Sequence, residues 1–326
     1  MSQFVYLIVS HSNPAQVLRL ARAIGRASPT AHIVIHHDAS KSRLDIPADL
    51  RVHLVPNPVS AEWGDFSLVE IFLRSTTWIR ENLDFQWIVN ISGQDYPLQP
   101  LAAFESRLAS SDQDAFLEHF PALGPAPWSE GTGRRRYYFW YTRLPKFARY
   151  YLLPEPLKQA LARVKKWFNG AQSLVDLRTS PRGIGTKLGV RRITTPFNER
   201  FVCYGGADWF NLNRKSVETI HRFVAEHPRI VSYYRHTFIP SESFVQTVLL
   251  NNSNIRAVND SCRYVNWGDI PVASPGILRT ADLDRAIGSG QPFARKFDLN
   301  VDSHVLDLLD ARIDQMFKVV EGASLS

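Results

Sequence analysis

The chain is poor in cysteine, in methionine and in long apolar runs. Cys203 and Cys262 are the only cysteines among 326 residues. Two thiols make neither a disulfide framework nor a four-thiolate metal site. A reducing compartment is the simplest setting for them. The apolar run at 4–9 is far too short to cross a bilayer, carries no basic leader or cleavage site, and no later run reaches membrane length. The expectation is a soluble cytoplasmic protein with nothing cleaved. A Walker A loop, a G-x-S-x-G elbow and an H-E-x-x-H pair are all missing, which sets aside the chemistries they carry. Gly183, Gly185 and Gly189 have the wrong spacing for a dinucleotide loop and follow no apolar strand. His32, His36 and His37 have no third ligand at a clear spacing, so no metal site is expected. No repeat, low-complexity tract or linker divides the chain, and one domain over 1–326 is expected.

What is present reads as an ordinary globular chain, 44% hydrophobic and 21% charged. Aromatics reach 12%, with eight tryptophans. Rings stack on the CH faces of sugars, and they also fill large cores, so this richness leaves both readings open. Charge is uneven. Residues 134–200 hold 16 Lys and Arg against 3 Asp and Glu, whereas the whole chain is only +7. The rest is therefore net acidic, and an anionic partner is expected beside the basic segment. Arg134, Arg135 and Arg136 precede five aromatics, which suits single-stranded nucleic acid. No RNA-binding motif or zinc pattern accompanies them, so nucleic acid is not expected. Residues 157–167 form a basic amphipathic pattern with Leu157, Leu161, Val164 and Trp167 aligned. Such a helix lies on an anionic membrane or packs on the core with its lysines wet.

The order of elements predicts an α/β fold. A strand at 4–9, a helix at 15–27, a buried strand at 32–36 and a short strand at 51–55 suggest a mainly parallel sheet with helices against it. A helix at 68–81 with Ser67 as N-cap, an apolar strand at 85–91, a helix at 100–108 and a strand at 115–119 follow, then a Pro/Gly-rich loop at 121–133. Strands at 208–212 and 255–258, a loop at 271–275, a short helix at 283–287 and a closing helix at 301–320 complete the reading. Ligands bind such sheets beyond the carboxyl ends of the strands. His11, Asp38, the SGQDYPL loop at 92–98 and Glu118 fall there, although Asp38 serves equally well as a loop-turning residue.

The stretch 205–250 organises the rest. It holds GGADWFNL and PSESFVQTVLL, each with one carboxylate in an apolar, aromatic setting: Asp208 before Trp209, and Glu242 before Phe244. Glu242 reads as the start of a helix with Ser241 as N-cap, where the macrodipole alone favours an acid. A carboxylate held partly dry also has the raised pKa that a base for hydroxyl deprotonation needs. Near the end, Arg295 and Lys296 sit between phenylalanines. Two cations can neutralise a diphosphate without a metal, provided the backbone turns both toward one ligand.

Together the motifs resemble glycosyltransferase family 14, which holds the core-2/I-branching β-1,6-N-acetylglucosaminyltransferases and the peptide O-xylosyltransferases. The likeness runs through Asn13-Pro14, His36-His37-Asp38, Trp63-Gly64, SGQDYPL, GGADWF, PSESF, RYVNW and FARKFD, in that order along nearly the whole chain. GGADWF, PSESF and FARKFD look closer to the xylosyltransferase branch, where an Asp-Trp pair occupies the same place; the branching enzymes lack that Asp. The resemblance implies a GT-A-type fold and an inverting reaction that does not depend on a bound metal in the usual DxD manner. It implies a nucleotide-sugar-binding half at 1–120, a basic insertion at 121–200 and an acceptor and catalytic half at 201–326. By it, Asp38 resembles the uracil contact and His11 part of the same pocket. Arg295 and Lys296 look like the diphosphate clamp, with Arg279 counted among the donor-binding residues. Glu242 matches the base of the branching enzymes, and Asp208 the aspartate proposed for that task in the xylosyltransferases. Trp267 resembles an acceptor-site tryptophan, with Trp209, Glu118, Arg134 and Arg136 placed nearby, the last three by a poor match because loop lengths differ. A bacterial-type cytosolic relative, without the Golgi anchor and disulfides of the animal members, is implied.

The expected reaction is transfer of GlcNAc or xylose from a UDP-sugar to a hydroxyl of a glycan or lipid-linked saccharide, with Glu242 favoured as base and Asp208 close behind. No cofactor or essential metal is expected. Peripheral contact with an anionic membrane is expected from the basic segment. The alternatives are a carbohydrate-binding module that lost catalysis, which has no use for Arg295 and Lys296, and a nucleic-acid-binding protein that uses the basic-aromatic run at 134–141.

Overall fold

The computed structural model describes residues 4–124, 127–144, 154–179, 186–268 and 274–324. Its centre is a seven-stranded sheet in the order Ala257–Val258, Ala115–Leu117, Phe210–Asn213, Trp87–Ser92, Phe4–Ser10, His32–His37, His53–Leu54. Phe210–Asn213 runs antiparallel to both its neighbours, and every other pairing is parallel. Six strands thus point one way. Their carboxyl ends share an edge with the start of Phe210–Asn213, and this edge positions the site.

Alternation within the strands builds a core on each face. Tyr6 and Ile8 join a cluster under the helices Pro14–Ala27 and His304–Ser324. Val5, Leu7 and Ile88 join another under Ser67–Asn82, Arg214–Glu226 and Phe244–Leu250. Burial on both faces explains why these strands read as continuous apolar runs. The expected α/β fold with a mixed, mainly parallel sheet flanked by helices is what the chain forms.

Several local expectations are corrected. Ser67 is the first residue of its helix, with Phe66 at the cap position; its hydroxyl bonds the backbone of Glu62 instead. Ser241 is not a helix cap either. It lies in a 3-10 turn, Pro240–Glu242, and the helix starts only at Phe244. Proline at the head of PSES favours the tight turn. The described residues of the basic segment hold more regular structure than its reading implied. After the short helix Thr132–Tyr137 it forms a three-stranded antiparallel sheet, Phe139–Arg143, Thr186–Arg191 and Val175–Thr179, beside the helix Glu155–Ala171. Helices Arg214–Glu226 and Pro228–Arg235 were also not foreseen. Gly183 and Gly185, and positions 271–273 of the expected loop, lie outside the described residues. Among the described residues no helix is long and apolar enough to cross a membrane.

Candidate active site

The carboxyl edge collects residues from distant parts of the sequence. His11 follows Phe4–Ser10, Asp38 follows His32–His37, Gly93 follows Trp87–Ser92 and Glu118 follows Ala115–Leu117. Asp208 arrives from the opposite direction, two residues before Phe210–Asn213. The antiparallel strand is what brings it to that edge.

Close backbone packing fixes the acidic group. Gly205 pairs with Phe120 across a two-stranded ribbon. At Gly206 a Cβ would stand 1.9 Å from the carbonyl oxygen of Glu118, so only glycine fits. Gly206 donates its N–H to the carbonyl of Glu242 at 3.0 Å. Gln246 Nε2 donates to the Ala207 carbonyl at 2.7 Å, and Asn90 Nδ2 to the Asp208 carbonyl at 3.0 Å. The main chain at 206–208 is thereby tied to three elements, and the Asp208 carboxylate is left to the cleft.

The two carboxylates have different surroundings. Asp208 is half-buried, and its Oδ1 is shielded from water and accepts no hydrogen bond among the described residues. Burial, then the Glu242 charge, push its pKa up to about 7, against the pull of Ser241, Arg295 and Arg136. Glu242 is engaged by the Arg136 guanidinium through Oε2, with its side chain 28% exposed. Arg136 in turn lies 4.2 Å from the centre of the Trp128 ring. Glu118 stands at the mouth. Desolvation and the Glu242 charge raise its pKa, and access to water tempers both.

A cationic group faces this cluster. Arg295 is the direct cross-strand partner of Asp95, with Nε 3.6 Å from Oδ2, and its guanidinium lies 4.3 Å from the centre of the Trp209 ring. Arg263, buried beneath, holds Nε 3.5 Å from the other Asp95 oxygen and donates through Nη2 to the Asn90 carbonyl at 2.7 Å. Both pairs are longer than hydrogen bonds but are shielded, where charge attraction is strong.

A polar cavity of about 320 Å³ opens on the same edge, between the ends of Phe4–Ser10 and Trp87–Ser92. His11, Asn13, Gln94, Asp298 and Asn300 line it. Asp38 is placed otherwise. It is buried, and its oxygens accept from Ser40, Ser60 and the Ala61 N–H. Those bonds hold its pKa below the usual range, although burial opposes them. His36 is buried, takes the Val59 N–H on Nε2, and is pushed by burial to a pKa of about 4. Among the described residues no three His, Cys, Asp or Glu stand together to hold a metal ion.

The remaining expected residues are more dispersed. Lys296 donates to the Ser274 hydroxyl. Arg279 is exposed ahead of the turn Thr280–Asp282. Trp267 is 56% exposed. The arginine triplet divides: Arg136 enters the cleft, Arg135 pairs with buried Asp176 at 2.9 Å, and Arg134 is exposed, 5.8 Å from the Tyr138 ring centre. Sequence reasoning missed Asp95, Arg263, Asn90, Gln246 and Trp128 as supports. A charged residue inside an apolar strand, as in RYV at 263–265, was the available signal for Arg263.

The core-2/I-branching enzyme family model matches residues 159–284. Xylosyltransferase 1 of Canis lupus familiaris is 27% identical over 282 residues, covering 79% of this chain and 24% of that protein. Xylosyltransferase 2 of Rattus norvegicus is 25% identical over 335 residues, 94% of this chain and 33% of that protein. The chain is thus similar to core-2/I-branching enzymes over that segment and to xylosyltransferases over most of its length, which supports glycosyltransferase family 14. It spans about a quarter to a third of the length of these curated relatives. Among solved structures, a 2-C-methyl-D-erythritol 4-phosphate cytidylyltransferase from Thermus thermophilus aligns over 89% of this chain and 98% of its own, with 13% identity and a TM-score of 0.34, too low to bear on function.

Proposed function

We propose that this chain is a glycosyltransferase that moves a sugar, GlcNAc or xylose, from a UDP-sugar to a hydroxyl of a glycan acceptor, with inversion and without an essential metal. The observation that carries the reading is the pair of carboxylates in unlike surroundings at the sheet's carboxyl edge, faced by Arg295. A carboxyl group whose surroundings raise its pKa toward working pH is suited to general-base work. The acceptor oxygen attacks the anomeric carbon, its proton passes to a carboxylate, and the bond to the diphosphate breaks to release UDP. Asp208 is the better base of the two. Unlike Glu242 it is held in no close ion pair among the described residues, and its pKa lies near working pH, where proton transfer is most efficient. Glu242, paired with Arg136, raises the basicity of Asp208 by its charge. This reverses the order expected from sequence.

Arg295 and Lys296 are assigned to the departing diphosphate, where cations placed in advance stabilise developing charge. The cavity beside His11 suits the nucleoside in position and polarity. With its oxygens occupied, Asp38 is better suited to shaping the pocket wall than to touching uracil. Thermal shift and UDP release with UDP-GlcNAc, UDP-xylose, UDP-glucose and UDP-galactose, each with and without EDTA, test the proposal. One UDP-sugar should stabilise the protein and be slowly hydrolysed despite EDTA. No stabilisation by any of them, or binding that requires a divalent metal, would overturn the donor assignment.

A further inference from the structure

The described residues include eleven large hydrophobic side chains that stand exposed, and seven belong to the basic segment: Trp140, Leu157, Val164, Trp167, Leu174, Val190 and Ile193. Three of them share one helix. Leu157 and Val164 are seven residues apart in Glu155–Ala171 and so lie on one face, with Trp167 three residues further on. The spacing that made this helix look amphipathic is therefore not consumed by the core at these positions; Trp167 is 71% exposed. The Leu161 side chain lies outside the described residues.

The helix end and the adjoining sheet are fastened together. Gln172 Nε2 donates to the Val175 carbonyl at 2.6 Å, and the Arg191 N–H donates to the Leu174 carbonyl at 2.8 Å. This gathers Leu174, Val190 and Ile193 near the end of the helix that carries Trp167. Arg163 and Arg191 are exposed within the same unit. Other cations of the segment are spent inside the fold: Arg135 and Arg178 on Asp176, Arg143 and Lys187 on Asp65, and Arg192 against the Tyr233 ring. Even so, the segment carries 16 Lys and Arg against 3 acids in a chain that is otherwise net acidic.

We infer that this unit, residues 155–179 and 186–193, is a docking surface for an anionic lipid bilayer, with Leu157, Val164 and Trp167 entering the headgroup boundary and the arginines meeting lipid charge. Exposed apolar side chains alone would fit any partner. Their coincidence with the one strongly basic segment selects a surface that is apolar within and anionic at its face. A tryptophan at such a boundary places its ring and N–H at headgroup depth. The inference is independent of which carboxylate acts as base and of the donor.

The test uses the whole chain and vesicles of phosphatidylcholine alone or with phosphatidylglycerol at about one third of the lipid, a fraction chosen to give a strong negative surface potential. Sedimentation should recover the protein with the anionic vesicles at low salt and much less at about 0.5 M salt, where the Debye length falls to a few ångströms. Brominated lipid should quench tryptophan emission, and Trp167→Phe should remove most of that quenching while leaving the melting temperature unchanged. Leu157→Ser with Trp167→Ser should weaken partitioning about tenfold or more, from the lost apolar insertion. Absence of binding to anionic vesicles would overturn the inference. So would binding without bromine quenching, which signals loose surface charge only, and so would self-association in solution that the same double variant abolishes, which would make a second copy the occupant.

Discussion

Arg295 and Asp95 are direct partners across a strand pair, and Asp95 also holds Arg263 from beneath. One fully buried carboxylate thus compensates two guanidinium groups, one of which reaches the cleft over Trp209. Asp95→Asn deprives both cations of their nearest counter-charge. Removing one partner of a buried ion pair costs about 3–5 kcal/mol. The variant should unfold at clearly lower urea, and any folded fraction should bind the donor poorly because Arg295 has lost its anchor. Denaturant midpoints and donor titrations measure the two effects separately.

Asp208 and Glu242 should be separable by pH. If Asp208 is the base, Asp208→Asn lowers turnover by about 10²–10⁴-fold across the pH range. Glu242→Gln removes the charge that raises Asp208, so the acid limb of kcat/KM should move to lower pH while activity remains measurable. Arg136→Met should move the same limb upward, because the Arg136 charge lowers Asp208. A Glu242→Gln variant as inactive as Asp208→Asn, with no pH shift, would return the role to Glu242.

The same residue makes a stability prediction. Asp208 titrates at about 7 in the fold, against roughly 4 in an unfolded chain. Between those values the folded state keeps a proton that the unfolded state has lost, so stability falls as pH rises from about 4 to about 7. Asp208→Asn cannot ionise and should escape that loss. It should be more stable than the native chain at pH 8 by about 1–2 kcal/mol, allowing for the solvent access of a half-buried group. The difference should vanish near pH 4. Urea midpoints at the two pH values check it.

Much of this was legible, for identifiable reasons. Apolar strands buried on both faces announce themselves as continuous runs, and 4–9 and 85–91 were placed within two residues of the observed strands. Carboxyl-edge positions follow from the parallel topology, so His11, Glu118 and the 92–98 loop were found on the correct edge. The three-stranded sheet in the basic segment was not legible, since cations whose stems cross its faces obscure the period of two. Nor was the fate of Asp38 visible. A carboxylate that closes its own loop and one that faces a ligand look alike in sequence, and only the bonds from Ser40 and Ala61 separate them. The choice between Asp208 and Glu242 rests on Arg136, more than a hundred residues from Glu242 in sequence.

Gly206 gives the most direct test of how the cleft is built. Its N–H holds the Glu242 carbonyl, and the space a side chain would need is filled by the Glu118 carbonyl. In Gly206→Ala the new Cβ meets backbone on a strand end, not the tip of a mobile side chain, so relief requires the strand end and the 205–208 segment to separate. Overpacking of this kind costs about 1–3 kcal/mol. The functional loss should exceed what that number suggests, because the separation displaces Glu118, Asp208 and Glu242 relative to one another. A catalytic misplacement of about 1 Å costs on the order of 10²-fold. The expected outcome is a folded protein with a modestly lowered melting temperature, intact donor binding and turnover reduced at least that far. Retained turnover would mean that the three carboxyl groups do not act as one unit.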